Sequence, residues 1–172
     1  DFNDGFISAD STVTHVFNGY GLFDVELRVT SNEGCSNSKV KTTEEFVNPS
    51  VDFITSKFCK GEQTIFNASS FLSDTNIISY NWNFGLEGAS NNKNTMHTFS
   101  SDGVFDVSLL AVSDRGCESM LSKEVTIYEL PTPKFEVDSD ICLGDKVEIS
   151  YLSNVNDVNV VEWSYNLGDG NF

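Results

Sequence analysis

One spacing recurs along this 172-residue chain. His15-Val16-Phe17 returns as His97-Thr98-Phe99, Gly21-Leu22-Phe23-Asp24-Val25 as Gly103-Val104-Phe105-Asp106-Val107, and Gly34-Cys35 as Gly116-Cys117, each 82 residues later. A second set returns at 83: Phe58-Cys59-Lys60-Gly61-Glu62 as Ile141-Cys142-Leu143-Gly144-Asp145, and Tyr80, Trp82, Phe84 and Gly85 as Trp163, Tyr165, Leu167 and Gly168. So many landmarks at one period define an internal repeat, which constrains architecture more than any single motif does. The chain then divides into the second half of one unit (1–46), a whole unit (47–129) and the first half of a third (130–172). Each half leaves an open sheet edge and half a core, so neither should fold well alone. Two arrangements follow. Either the chain is a window on a longer tandem array, or its halves complement one another between neighbouring chains to form a fibre.

Within the unit the apolar residues alternate. Phe23, Val25, Leu27 and Val29 share one face of a strand over 22–30, with Asp24, Glu26, Arg28 and Thr30 on the other. Ser31-Asn32-Glu33-Gly34 reads as a hairpin turn whose glycine suits a positive φ, and 38–46 returns as the partner strand. Strands are expected at 11–17, 51–58, 63–68, 77–84, 95–99, 104–112, 118–129, 135–140, 146–151 and 158–167. Loops are expected at 69–76 and 85–94, and no helix stands out. Asn48-Pro49 and Pro131-Thr132-Pro133 mark the unit boundaries. About seven short strands per repeat imply an all-β chain of β-sandwiches, and linkers this short set them end to end.

The formal charge of -16, from 26 acidic and 10 basic residues, excludes a nucleic-acid partner, because a phosphate backbone would be repelled. It also disfavours an anionic membrane surface, and no apolar run approaches the length of a membrane-spanning helix. Four Cys are too few for a small disulfide scaffold.

Trp82-Asn83-Phe84-Gly85, His97-Thr98-Phe99, Gly103-Val104-Phe105-Asp106-Val107 and Asp114-Arg115-Gly116-Cys117 together resemble the PKD domain, an immunoglobulin-like β-sandwich. The resemblance covers essentially the whole chain, as half, one and half copies. Asn83 replaces the family's usual Asp, and Tyr165-Asn166-Leu167-Gly168-Asp169-Gly170 departs from its W-x-F pair. Both changes weaken any claim of a shared ligand site. With a pair of cysteines per repeat, the chain looks like the PKD arrays of secreted Bacteroidota proteins, which include giant adhesins, gliding-motility filaments and modules on secreted hydrolases. The resemblance implies a non-catalytic extracellular or cell-surface stalk or filament segment. The alternative is a carbohydrate- or protein-binding accessory module of a secreted hydrolase. Neighbouring repeats are the expected partners, with surface glycans or proteins as further ones.

Cys59 and Cys142 follow the first strand of their units; Cys35 and Cys117 open the last. In this topology the two positions of a unit lie a strand's length apart, which favours a staple between successive repeats, with a Cys59–Cys117 bond as the alternative. No C-x-x-C pair suggests zinc. His15 and His97 occupy one spot of the repeat with no nucleophile or acid at fixed spacing, so a structural histidine is expected. Tyr80, Trp82, Phe84, His97, Phe99 and Phe105 are the expected core; as alternating aromatics they point to burial rather than to a carbohydrate platform. Asn67-Ala68-Ser69 is a formal N-glycosylation sequon, and Asp10-Ser11-Thr12 resembles a Bacteroidota O-glycan acceptor. No cofactor is expected. Asp1, Asn3, Asp4, Asp169 and Asn171 are the oxygen-bearing residues that calcium would need, though no D-x-D-x-D-G loop is present. Titrating calcium during thermal melts checks this: a rise in melting temperature supports the site, and an unmoved transition removes it.

Overall fold

The computed structural model describes residues 2, 4–70, 76–138, 140–153 and 160–168. The polar loop expected at 69–76 lies largely outside them. In chain order the strands are β1 (Gly21–Thr30), β2 (Ser36–Glu45), β3 (Phe53–Ser56), β4 (Gln63–Ala68), β5 (Ile77–Asn83), β6 (Ala89–Ser90), β7 (Asn94–Thr98), β8 (Gly103–Ser113), β9 (Glu118–Ile127), β10 (Phe135–Val137) and β11 (Ile149–Tyr151). The only helical element among the described residues is a 3-10 turn at Gly85–Glu87, so no helix is long and apolar enough to cross a membrane.

Residues 53–127 hold seven strands in two sheets, ordered β3-β4-β7 and β6-β5-β8-β9. Every pairing is antiparallel, with Trp82 opposite Leu109 and Phe66 opposite Thr95. The inward-facing residues of both sheets alternate along their strands: Thr64, Phe66 and Ala68 on β4, and Val107, Leu109 and Ala111 on β8, are buried. They enclose Phe53, Trp82, Phe84, Phe99, Val125 and Ile127. Phe66 is the hub of the aromatic cluster, with ring centroids 5.5 Å from Trp82, 5.0 Å from Phe84 and 6.4 Å from Phe99. The Trp82 indole N–H donates to the carbonyl of Asn92 at 2.8 Å, so its one polar atom is satisfied in the core.

Outside this sandwich the sheets are truncated. β1 and β2 form a two-stranded ribbon, and β10 and β11 another. The alternation expected in β1 is present, but its inward residues lack a cover. Leu27 is 66% exposed, whereas its counterpart Leu109 is 0% exposed. The strands expected at 11–17 and, within its described part, at 158–167 do not form. Among the described residues of the complete unit, the counterpart of the first, β7, pairs with β4 alone, and the counterpart of the second, β5, pairs with β8 and β6. Among the described residues, 11–17 and 160–167 have no such strand to pair with, and an unpaired strand leaves its backbone groups to water. The loop expected at 85–94 contains two elements that the sequence reading missed, the 3-10 turn and β6.

This difference yields a paired test. Leu109→Ala should lower stability by about 2–5 kcal/mol, because it empties a packed site, while Leu27→Ala should change it by no more than about 0.5 kcal/mol. Urea denaturation followed by tryptophan fluorescence measures both; equal losses would mean that the ribbon face is covered after all.

Candidate functional site

The repeat carries its chemically distinctive residues at its two ends. At one end the β8–β9 hairpin closes when Gly116 N–H donates to the Ser113 carbonyl at 3.0 Å and Ser113 N–H to the Cys117 carbonyl at 2.9 Å. The Cys117 N–H adds a bond to Ser113 Oγ at 3.1 Å. The β1–β2 hairpin repeats this turn with Gly34, Ser31 and Cys35, at 3.0, 2.8 and 3.2 Å. Gly34 and Gly116 both sit at φ +81°, a conformation glycine reaches without strain. The cysteine is therefore fixed at the same point of the hairpin in both copies.

At the other end Glu62 N–H donates to the Cys59 carbonyl at 3.1 Å, and Asp145 N–H to the Cys142 carbonyl at 3.0 Å. Cys59 pairs in a parallel bridge with Tyr128, just beyond the end of β9. Lys60 N–H donates to the Tyr128 carbonyl at 2.9 Å, and Tyr128 N–H to the Phe58 carbonyl at 2.7 Å. Cys117 immediately precedes the start of β9, so the strand's 10 residues lie between the two cysteines. At about 3.3 Å per residue they are roughly 30 Å apart. A disulfide needs Cα atoms within about 7 Å, so a Cys59–Cys117 bond inside one repeat does not fit this geometry. All four cysteines are free thiols, with Cys59 and Cys117 half-buried and Cys35 and Cys142 exposed.

The boundary between 1–46 and the complete sandwich is packed. The Arg115 guanidinium lies over the ring of Phe46, 4.9 Å from its centroid. Pro49 is buried, and Phe46 is half-buried. Phe46 stands one repeat before Tyr128, 82 residues upstream.

Of the calcium candidates, Asp1, Asn3, Asp169 and Asn171 lie outside the described residues. Asp4 accepts a hydrogen bond from His15 Nε2 at 2.5 Å, and that bond, with one from the Phe6 N–H, holds its carboxyl below the usual aspartate range. No group of three or more His, Cys, Asp or Glu side chains among the described residues is arranged to hold a metal ion. Asn67 of the sequon is a half-buried residue of β4, paired on both sides by β3 and β7, while Ser11 is exposed.

His97 lies flat against Phe84, with centroids 4.3 Å apart, and edge-on to Phe99 at 4.7 Å. Its Nε2 is buried without a hydrogen-bond partner. Burial of the ring pulls its pKa below the ordinary histidine value, against the opposing pull of Glu87. His15 stacks on Phe6 in the same way, with centroids 4.6 Å apart. At the counterpart of Asp4 the complete repeat has Leu86, which is fully exposed. Both histidines are built into aromatic stacks. Trp82, Phe84 and Phe99 are buried, whereas Tyr80 and Phe105 pack partly buried at the core's edge.

An open apolar trough of about 400 Å³ lies among Phe135, Ile149, Tyr151, Trp163, Tyr165 and Leu167. Tyr151 stacks on Trp163 at 5.4 Å. Tyr165 is 38% exposed where its counterpart Trp82 is 1% exposed. By the repeat spacing, Tyr165 and Leu167 of the trough stand at the places of the buried Trp82 and Phe84, and Trp163 at that of the half-buried Tyr80.

The family profile described as PKD domain matches the chain twice, over residues 1–47 and 46–127. Among solved structures, the chain is similar to the PKD1 domain of Vibrio anguillarum Epp, at 22% identity over 48% of this chain and 96% of that one, with a TM-score of 0.45. The PKD1 domain of the Vibrio cholerae metalloprotease PrtV is similar at 23% identity over 47% and 98% of the two chains, with a TM-score of 0.44. A structure of carbohydrate-binding modules from the β-sandwich superfamily is similar at 16% identity over 61% and 53%, with a TM-score of 0.48.

The packing of His97 has a pH consequence. With its pKa depressed in the folded chain, the unfolded chain binds the proton first as pH falls. Stability is therefore full above the unfolded value of about 6.5 and falls as pH drops from there through the folded pKa. Melting curves across this range should show the loss in the parent and a flatter profile in His97→Gln; identical slopes would mean that His97 titrates as in the unfolded chain.

Proposed function

This chain belongs to the PKD domain family, and on that premise we propose that it is a non-catalytic extracellular spacer, a segment of a stalk or filament built from successive sandwiches. The carrying observation is the packed junction, where Arg115 of the complete repeat covers Phe46 of the preceding one across a linker that includes the buried Pro49. A boundary of this kind limits bending, which suits a rod more than a set of independent modules. The acidic excess supports the reading, since like-charged rods repel and stay apart. A cell-surface adhesin or motility filament is the setting we favour, with neighbouring repeats as partners.

The second reading is a binding module for carbohydrate or protein, to which the exposed Trp163 and Tyr165 lend some support. Their counterparts Tyr80 and Trp82 pack against or within the core of the complete repeat, which favours the spacer. Small-angle scattering separates the two. Each further copy of 47–128 inserted in the chain should lengthen the particle by roughly 35 Å, the span of an 11-residue strand such as β8. Particles that grow in all directions without this increment would contradict the spacer.

A further inference from the structure

We propose that successive repeats are joined by a disulfide between Cys59 of one repeat and the counterpart of Cys117 in the next. The proposal rests on the array reading above. Cys59 bridges Tyr128, and Tyr128 is the counterpart of Phe46. In an array, the residue at the place of Cys59 in the repeat before the complete one would therefore stand beside Phe46. Arg115 lies on the ring of that same Phe46, and Cys117 follows Arg115 by two residues in the same hydrogen-bonded hairpin. One thiol from each repeat is thus brought to one junction. The recurring hairpin at Cys35 and Cys117, and the recurring turn at Cys59 and Cys142, place both thiols the same way in each copy.

The chemistry is thiol–disulfide exchange. One thiolate attacks an external disulfide, of a protein oxidant or a small-molecule disulfide, and releases one thiol. The second cysteine then displaces the mixed disulfide and releases the other. The two protein thiols lose two electrons and two protons in total, and the oxidant is reduced to two thiols. Each bond gives a load a covalent path that bypasses most of the chain. Advancing two repeats along an oxidised array, the load crosses only the 25 residues from Cys117 to Cys142 and one disulfide. At about 3.5 Å per residue these extend to roughly 90 Å, little more than two folded sandwiches of roughly 35 Å each. An oxidised array would resist extension even where its sandwiches unfold.

The test lengthens the whole chain by one repeat, joining 1–128 to 47–172. Tyr128-Val47 then replaces Phe46-Val47 at the new junction. After oxidation with glutathione disulfide, peptide mapping should find one disulfide, linking Cys59 of the first copy to Cys117 of the second. Cys59→Ser in the first copy should abolish it, and Cys59→Ser in the second copy should leave it intact. The 172-residue parent should form no bond between two of its own four cysteines under the same treatment, its accessible thiols stopping at the mixed disulfide with glutathione. A bond within one copy overturns the staple, as do free thiols throughout a folded, elongated chain. Scattering on the same samples separates the two readings: a lengthened particle with free thiols overturns the staple alone, and a particle that has not lengthened overturns the array.

Discussion

The pairing of β5 with β8 is the contact on which the rest of the structure depends. It joins the early strands of the repeat to the late ones, with Trp82 opposite Leu109 and Asn81 opposite Leu110. Through it the four-stranded sheet gains a continuous inner face, which closes over Phe53, Phe66 and Phe99 from the other side. Edge-on and tilted aromatic pairs such as Phe53–Trp82 and Phe66–Phe84 add about 0.5–1.5 kcal/mol each beyond their buried area. Where this pairing is present, seven strands order. Where it is missing, the same kinds of residue form two-stranded ribbons with apolar faces open to water.

That dependence explains what was legible in the sequence and what was not. The repeat period, the all-β class and the strands of 53–127 could be read from alternation and from landmarks such as Gly116-Cys117, because local pattern and tertiary partner agree there. Residues 11–17 and the described part of 158–167 alternate well enough to suggest strands, yet form none, because strand formation is a pairing property and their partners belong to the other half of a repeat. The split of roles between Leu27 and Leu109, which stand at one place of the repeat four residues after Phe23 and Phe105, was invisible for the same reason. β6 and the 3-10 turn at Gly85–Glu87 escaped because two- and three-residue elements leave no period to detect. At the candidate site, the positions of the cysteines in their turns were legible from Gly34-Cys35 and Cys59-Lys60-Gly61. The meeting of Arg115 with Phe46 was not, since nothing local marks a contact made across a repeat boundary.

The histidines follow the same logic of packing. His97 occupies a slot shaped by Phe84 and Phe99, where an imidazole contributes a flat ring more than a proton carrier. His15 fills the corresponding slot between Phe2 and Phe17, with Phe6 stacked on it as well, and takes Asp4 as a partner. One sequence position thus meets two electrostatic settings in one chain, and the motif keeps the ring in both. The distinctive residues of the repeat lie at its poles: Cys59 and Cys117 in their turns, and Arg115 over the ring of Phe46.

The central claim is that completion of the repeat, rather than the strand sequence itself, creates the core. Amide hydrogen exchange tests it most directly. In the 172-residue chain, residues 21–30 should exchange much faster than their counterparts 103–112. When the chain is extended at its N-terminus by a copy of residues 47–82, joined to Asp1 so that the first unit has its early strands, protection of 21–30 should rise to match. Protection already equal in the shorter chain, or unchanged by the addition, would contradict the account.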